Sequence, residues 1–378
     1  MKILIDQNVP LAEQLFGSHG ELIYVDGRDI GKKEISEAKA LICRSVTAVG
    51  AALLGDSSIE FVGSCTIGTD HLDTGYLESS NIQWTHAPGC NAQSVVEYVT
   101  SALAATNSLK LGLKAAIIGC GSVGSRVYSE LQAFGISVVG YDPLLQADPA
   151  KDSFLDLVSL EAAMSSDIVC LHTPYTESGA FPTADMIGEN LLALLRPNAI
   201  LVSAGRGGVV QESAMRSIAE KRPDIRWALD VWMGEPFIDS KTLDISTIAT
   251  PHIAGYSLEG RQNGSKQVYK TFCEYFGFTP VDNCDYRQAK SDAVLTGCSI
   301  EEILLAVYDP REDDKKLRAA QSSTAVKGTS SGTWFDRLRK EYPSRRERSA
   351  YRLSSADLSS SDMSLAAALG FEAEEGSG

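Results

Sequence analysis

Eleven short apolar runs constrain the fold of this 378-residue chain more than any other feature. Five form a first series, at 3–5, 22–25, 40–43, 61–63 and 82–84. Six form a second, at 115–119, 138–141, 168–171, 199–203, 227–231 and 248–249. Stretches of helical length lie between most of them. Strand, turn and helix in repetition is the pattern of parallel α/β units. The later runs are rich in Val, Ile, Leu and Ala with little polar alternation, which suits a parallel sheet covered on both faces. The spacing predicts a long helix over 94–109 between the two series. It predicts another over 258–276, which returns to the first unit and makes that domain discontinuous. Beyond 282 the rhythm stops. Residues 322–333, rich in Ser, Thr and Gly, read as a mobile loop, and the acidic Gly/Ser-rich end, from 359 on, as a frayed tail. The expected domains are 1–93 with 257–281, then 94–256, then 282–378.

The formal charge is −15, from 34 Lys and Arg against 49 Asp and Glu. That balance disfavours binding to nucleic acid or to an anionic membrane surface. No apolar run is long enough for a transmembrane helix, and the opening MKILIDQNVP is a strand rather than a signal peptide. The eight cysteines, Cys43, Cys65, Cys90, Cys120, Cys170, Cys273, Cys284 and Cys298, contain no CxxC pair. Several lie in strand-like runs, where Cys acts as a small hydrophobe, so a reducing cytoplasm is expected.

The sharpest local signal is Gly119-Cys120-Gly121-Ser122-Val123-Gly124, after an apolar run and before an amphipathic stretch over 123–134. In strand–turn–helix context this pattern binds a dinucleotide. Gly119 permits the tight turn, Gly121 lets the backbone approach a pyrophosphate, and Gly124 allows close helix–strand packing. The helix N-terminus offers N–H groups to the phosphates. Asp142 ends the next run, VVGYD, at the distance expected of a residue that accepts bonds from ribose hydroxyls. Its charge opposes a 2′-phosphate, and Pro143-Leu144-Leu145-Gln146 adds no arginine to compensate, so NAD is favoured over NADP.

Three further residues follow later runs: Arg206 in SAGRGG, Glu235 in LDVWMGEP and His252 in TPHIAG. Ligands of open α/β sheets bind at the carboxyl ends of strands. Oxidation of a 2-hydroxy acid needs a base for the hydroxyl proton, a task suited to imidazole, with a carboxylate to orient it. An arginine fork suits a substrate carboxylate. His71 and His172 read as residues shaping loops near the cleft, and His19 and His86 as structural. The scattered histidines suggest no catalytic metal.

With these motifs in order, residues 1–280 resemble the D-isomer-specific 2-hydroxyacid dehydrogenases. The resemblance implies a Rossmann-type doubly wound NAD-binding domain and a flavodoxin-like substrate lid domain. It implies that His252 is the acid/base, Glu235 its partner and Arg206 the carboxylate anchor. Carried over by motif, Gly119, Gly121, Ser122, Val123, Gly124, Asp142, Thr173, Ala204, Gly205, Arg206, Asp230 and Gly255 are cofactor-binding positions. A closer match to a branch acting on a phosphorylated 2-hydroxy acid rests on Arg44-Ser45-Val46-Thr47, Gly68-Thr69-Asp70-His71, Ala87-Pro88-Gly89-Cys90-Asn91-Ala92 and His252 to Gly260. It extends into Val307-Tyr308-Asp309, Phe335-Asp336-Arg337-Leu338-Arg339 and Arg345-Arg346-Glu347. It implies substrate contacts at Ser45, Thr66 and Tyr256, and a small α+β C-terminal dimerisation domain, hence a homodimer. Arg44, with an arginine of the 345–348 cluster, is the expected grip on the phosphate. Gln211 departs from the acidic residue or Asn usual in the family. Another acid of the same type, such as 3-phosphoglycerate, and a noncatalytic NAD-sensing scaffold stay open as alternatives.

Overall fold

The computed structural model describes residues 1–148, 154–281, 291, 293–327, 331–354 and 358–373. The chain forms two compact units, Met1–Asn91 with Ser257–Gln288, and Ala92–Tyr256 with Ala289–Gly378. Among the described residues no helix is long and apolar enough to cross a membrane.

The first unit carries strands β1 (Lys2–Asp6), β2 (Glu21–Val25), β3 (Ala40–Cys43), β4 (Phe61–Ser64) and β5 (Gln83–Thr85). They pair in parallel in the order β2-β1-β3-β4-β5, the flavodoxin-like order. Side chains alternate between two cores, as the two-residue period of a strand requires. Ile3, Ile5, Ile42 and Phe61 join Val268 and Phe272 of the helix Leu258–Phe276, while Leu4, Leu41 and Val62 join Leu53 and Leu77. The helix starts where Ser257 Oγ accepts from the Gly260 N–H (2.9 Å) and stops at Gly277, φ 70°.

The second unit carries β6 (Lys114–Ile118), β7 (Ser137–Tyr141), β8 (Ile168–Leu171), β9 (Ile200–Ser203), β10 (Arg226–Leu229) and β11 (Ile248–Ala249). They form a parallel sheet in the order β11-β10-β9-β8-β6-β7. An isolated parallel bridge from Gly140 to Leu157 stands where a Rossmann sheet carries its outer third strand. The strand order reverses between β6 and β8, so the loops after these two strands meet at the switch point, where such sheets bind ligands. Ile117 and Val202 face one core with Val99 and Leu103 of the helix Ala92–Ala105; Ile118 and Leu201 face the other.

The C-terminal segment adds a small parallel sheet, β12 (Val294–Leu295), β13 (Arg352–Leu353) and β14 (Glu372–Ala373), and the helices Ile300–Val307, Pro310–Lys327, Ser331–Lys340 and Ser360–Ala368. The stretch read as a mobile loop is therefore mostly helical; only residues 328–330 of it lie outside the described residues. Its serines do not break the helix because their hydroxyls donate to carbonyls within it, Ser322 to Arg318 and Ser323 to Ala320, both 2.9 Å. Buried Leu317 and Ala320 anchor the turn before them. The tail is likewise ordered as a helix and strand to Ala373, since Ala366, Leu369 and Phe371 are buried. Residues 374–378, and Cys284, lie outside the described residues.

The Pro310–Lys327 helix guards the sheet edge. Asp314 Oδ1 accepts from the Ala249 N–H (2.9 Å), and Arg318 donates to the carbonyls of Leu243 and Ser246. An arginine of the 345–348 cluster was expected at the phosphate; of that cluster, Arg345 and Arg348 are instead buried in the fold. Arg345 donates to Ser94 and to the Ala254 carbonyl, and Arg348 forks onto Glu130. The Arg348 charge is matched by buried Glu130, and its backbone N–H donates to buried Glu97; the sequence alone does not reveal either carboxyl as interior.

Burial pushes the Glu97 carboxyl up to about 8, against the pull of Arg348. The folded protein thus keeps a proton that the unfolded chain sheds near its ordinary value of 4.5. The stability this gives is fully present below that value and is lost as pH rises through about 8. Thermal melts are expected to show a shallower fall in Tm between about pH 6 and 8 for Glu97→Gln than for the unmodified protein. Parallel Tm–pH curves would contradict this.

Candidate active site

The glycine loop after β6 is built by close approach. Gly119 has φ 86°, and a Cβ there would lie 2.8 Å from the Thr173 backbone N. A Cβ on Gly124 would meet the Gly119 carbonyl oxygen at 1.9 Å, whereas one on Gly121 would meet nothing within 4 Å. The turn is locked from behind and open in front at Gly121. Val123 is the N-cap of the helix Gly124–Ala133, preceded by exposed Ser122. At the end of β8, Thr173 Oγ1 and both ring nitrogens of His172 are buried without a hydrogen-bond partner among the described residues. Burial holds the His172 imidazole neutral, with its pKa lowered to about 4. Ala204 and Gly205 follow β9, and a Cβ on Gly205 would stand 2.9 Å from the Thr173 carbonyl. An open glycine turn, a helix N-terminus and orphaned buried acceptors and donors beside them fit a dinucleotide such as NAD.

Asp142 performs a structural task. Oδ1 caps the helix Pro143–Gln146 by accepting from Leu144 and Leu145, and Oδ2 accepts from the Cys120 N–H (3.0 Å). It ties the glycine loop to the following turn. Asp142→Ala is expected to narrow the preference for NAD over NADP and to weaken both cofactors through the slackened loop, read by titration of each. Unchanged discrimination would remove Asp142 from cofactor selection.

Glu235 and His252 meet. His252 Nδ1 lies 2.7 Å from Glu235 Oε2, and Glu235 Oε1 accepts from the Trp232 N–H (2.9 Å). Burial pushes the Glu235 carboxyl up, but His252, the Trp232 amide and the charge of Arg339 outweigh it and hold it below its usual range. The Glu235–Pro236 peptide is cis, and His252 has φ 55°. Asp230, 1% exposed, braces that conformation: Oδ1 accepts from Thr250 Oγ1 (2.6 Å) and the Ile253 N–H (2.8 Å), and Oδ2 from the Ala254 N–H (2.9 Å). The His252 N–H donates to the Asp230 carbonyl. The family motif marked Asp230 as a cofactor position; its bracing of the histidine loop has no sequence signature, because bonds to backbone N–H groups leave no pattern of residue types.

Arg206 stands on the loop after β9, its Nη1 donating to the Gly205 carbonyl (3.0 Å). The backbone of this loop approaches the one leading to Glu235 so closely that a Cβ on Gly207 would lie 1.9 Å from the Trp232 carbonyl oxygen. Tyr256 ends the segment after His252 and Gly255, beside Arg339. In the first unit, Arg44 and Ser45 follow β3 at the switch point between β1 and β3. Arg44 donates to the fully buried Asp6 carboxylate through Nε (2.8 Å) and Nη2 (3.3 Å). Thr66 bonds Ser64, which also meets His71 Nε2 (2.9 Å). His86 Nδ1 meets the Ile67 carbonyl, and His19 stacks on Phe278 beside the Tyr269 hydroxyl. Burial pushes the Cys65, Cys120 and Cys170 thiols up to about 12, so they are apolar filler rather than nucleophiles.

Residues 99–254 match the model of the D-isomer specific 2-hydroxyacid dehydrogenase, NAD binding domain, and 280–370 match a domain of unknown function, DUF3410. The chain is 41% identical over 370 residues to the erythronate-4-phosphate dehydrogenase of Teredinibacter turnerae, covering 95% of this chain and 96% of that one. It is 42% identical to that of Cellvibrio japonicus, covering 93% and 94%. Among solved structures, its fold is similar to NAD-bound 3-phosphoglycerate dehydrogenase of Entamoeba histolytica (TM-score 0.61, 20% identity, 73% of this chain and 95% of that). It is similar also to D-lactate dehydrogenase of Aquifex aeolicus (TM-score 0.60, 21% identity, 73% and 96%). Sequence identity over nearly the whole length, with the Glu235–His252 pair and the glycine loop in place, assigns the chain to the erythronate-4-phosphate dehydrogenase family of the D-isomer specific 2-hydroxyacid dehydrogenases.

Proposed function

We propose that the protein oxidises 4-phospho-D-erythronate at C2 with NAD, giving 2-oxo-3-hydroxy-4-phosphobutanoate, a step in pyridoxal 5′-phosphate biosynthesis. The observation that carries this reading is the 2.7 Å contact between His252 Nδ1 and Glu235 in a chain 41% identical to curated dehydrogenases of that substrate. NAD, when bound, supplies the hydride acceptor. The glycine loop, Thr173, Ala204, Gly205, Asp230 and Gly255 are its proposed contacts.

Glu235 holds the Nδ1–H of His252, which leaves the lone pair on Nε2. Nε2 takes the C2 hydroxyl proton as C2 gives up its hydrogen with both bonding electrons, and the carbon–oxygen bond becomes a carbonyl. Glu235 then faces an imidazolium and stabilises it. Arg206 anchors the substrate carboxylate and favours the developing carbonyl oxygen. Ser45, Thr66 and Tyr256 contact the remainder of the substrate. Arg44 has its charge matched by Asp6, so it serves the phosphate only as a hydrogen-bond donor.

The reading extends to a homodimer joined through residues 282–378 and to the cytoplasm, where the seven described cysteines, all free thiols, stay reduced. Sedimentation tests the dimer. The reaction is tested by following nicotinamide absorbance with 4-phospho-D-erythronate, D-erythronate and 3-phosphoglycerate. Turnover is expected to be fastest on the first; a higher kcat/KM on 3-phosphoglycerate would overturn the substrate assignment.

A further inference from the structure

An arginine of the 345–348 cluster was the expected C-terminal contact of the substrate phosphate, and the fold engages several arginines of that segment elsewhere. Arg311 and Arg318 lie within 3.0 Å of Asp309 and Asp314. Arg348 sits between Glu130 and Glu97. Arg345 meets Ser94 and the Ala254 carbonyl, and its Cζ lies 4.3 Å above the Tyr308 ring. These side chains hold the segment to its own unit.

Arg339 differs. Its helix, Ser331–Lys340, buries Trp334 and Phe335, and Arg339 lies one turn beyond Phe335 on the same side. The first turn leans on the catalytic loop: a Cβ on Gly332 would stand 2.7 Å from the Phe237 ring and 3.1 Å from Pro236. The last turn brings the Arg339 guanidinium to 5.9 Å from the centre of the Tyr256 ring. Tyr256 and Glu235 both lie close enough to stabilise the Arg339 charge. Yet Glu235 already accepts from His252 and Trp232, and Asp336 stands off at 4.0 Å. Like Arg345 Nη1 and Arg348 Nε, the Arg339 Nε–H is buried with no acceptor among the described residues, but the Arg339 side chain keeps 21% of its exposure against 6% for Arg348. A buried charged donor without an acceptor is costly, and a bound anion would supply one. A phosphate can take Nε–H and one Nη–H together, a planar fork that lysine cannot copy.

We infer that Arg339, with Tyr256 beside it, binds the phosphate of the substrate. The inference rests on the phosphorylated acid proposed above. Solved relatives such as the lactate dehydrogenase cover 73% of this chain, so about a quarter of it, matching the length of the segment that carries Arg339, lies outside that likeness. The C-terminal segment then completes the substrate site as well as covering the sheet.

The test uses the full chain, with Arg339→Gln and Arg339→Lys. Each is assayed on 4-phospho-D-erythronate and on D-erythronate, and for competitive inhibition by inorganic phosphate. Loss of a charged fork is expected to lower kcat/KM on the phosphorylated acid by about 10–100-fold in Arg339→Gln. The loss on D-erythronate should stay within a few-fold, and inhibition by inorganic phosphate should weaken. Arg339→Lys should recover part of the loss, and it decides the matter alone if the Gln variant does not fold. Equal losses on the two acids would make Arg339 a positioning residue for Glu235 and overturn the inference. So would undiminished inhibition by phosphate. An unmodified protein inert toward the phosphorylated acid would remove the functional reading, and this inference with it.

Discussion

His252→Ala is expected to lower kcat by about 10²–10⁴-fold, the usual contribution of a positioned acid/base group, while NAD affinity changes little. The two effects separate because the parts are built separately. The histidine loop is held by Asp230, which still accepts from Thr250, Ile253 and Ala254 after the imidazole is gone. The cofactor's proposed phosphate cradle is the turn from Gly119 to Gly124, shaped by contacts with Thr173. Steady-state kinetics and a fluorescence titration with NAD check both halves. Near-normal kcat would remove His252 as the proton acceptor. Lost NAD binding would show that the loop collapses without the ring.

Glu235→Gln is expected to be nearly as severe, about 10²–10⁴-fold in kcat, although it removes one charge and almost no volume. Glu235 faces two donors, the Trp232 N–H at Oε1 and the His252 Nδ1–H at Oε2. A glutamine has one carbonyl oxygen and one NH₂ group to offer. With the oxygen toward Trp232, the NH₂ donates to Nδ1 and forces the proton onto Nε2, the tautomer that cannot act as base. With the oxygen toward His252, the NH₂ is pressed against the Trp232 N–H. A pH–rate profile checks this: the variant should stay slow even where the unmodified enzyme is fastest. A fall of only a few-fold would mean that orientation of the imidazole is set elsewhere.

The sequence made most of the parallel sheets legible. All eleven runs are strands, because buried parallel strands are written as continuous apolar runs with helices between them. The helix expected over 258–276 is the helix Leu258–Phe276. Glu235 and His252 were legible as a pair because the chemistry demands both residue types at strand ends. Four features were not. The Ser-rich stretch before 328 hides a helix, since hydroxyls that favour turns can also bond carbonyls within a helix. Arg345 and Arg348 read as part of a cluster that supplies a phosphate contact; their carboxylate and carbonyl partners lie some 90 to 250 residues away in the chain. Asp230 and Asp142 read as cofactor residues, and their bonds to backbone N–H groups cannot be seen in any motif. Arg339 stood within a stretch quoted only for its likeness, and nothing but the fold brings it to Tyr256 and Glu235.

The central claim is that His252, oriented by Glu235, removes a proton while C2 of the bound acid gives up its hydrogen directly to the cofactor. The most direct measurement gives the enzyme 4-phospho-D-erythronate carrying deuterium at C2, with NAD, and weighs the reduced nicotinamide by mass spectrometry. The expected result is one deuterium retained in the reduced cofactor; deuterium released to water, or no reduction of NAD, would contradict it.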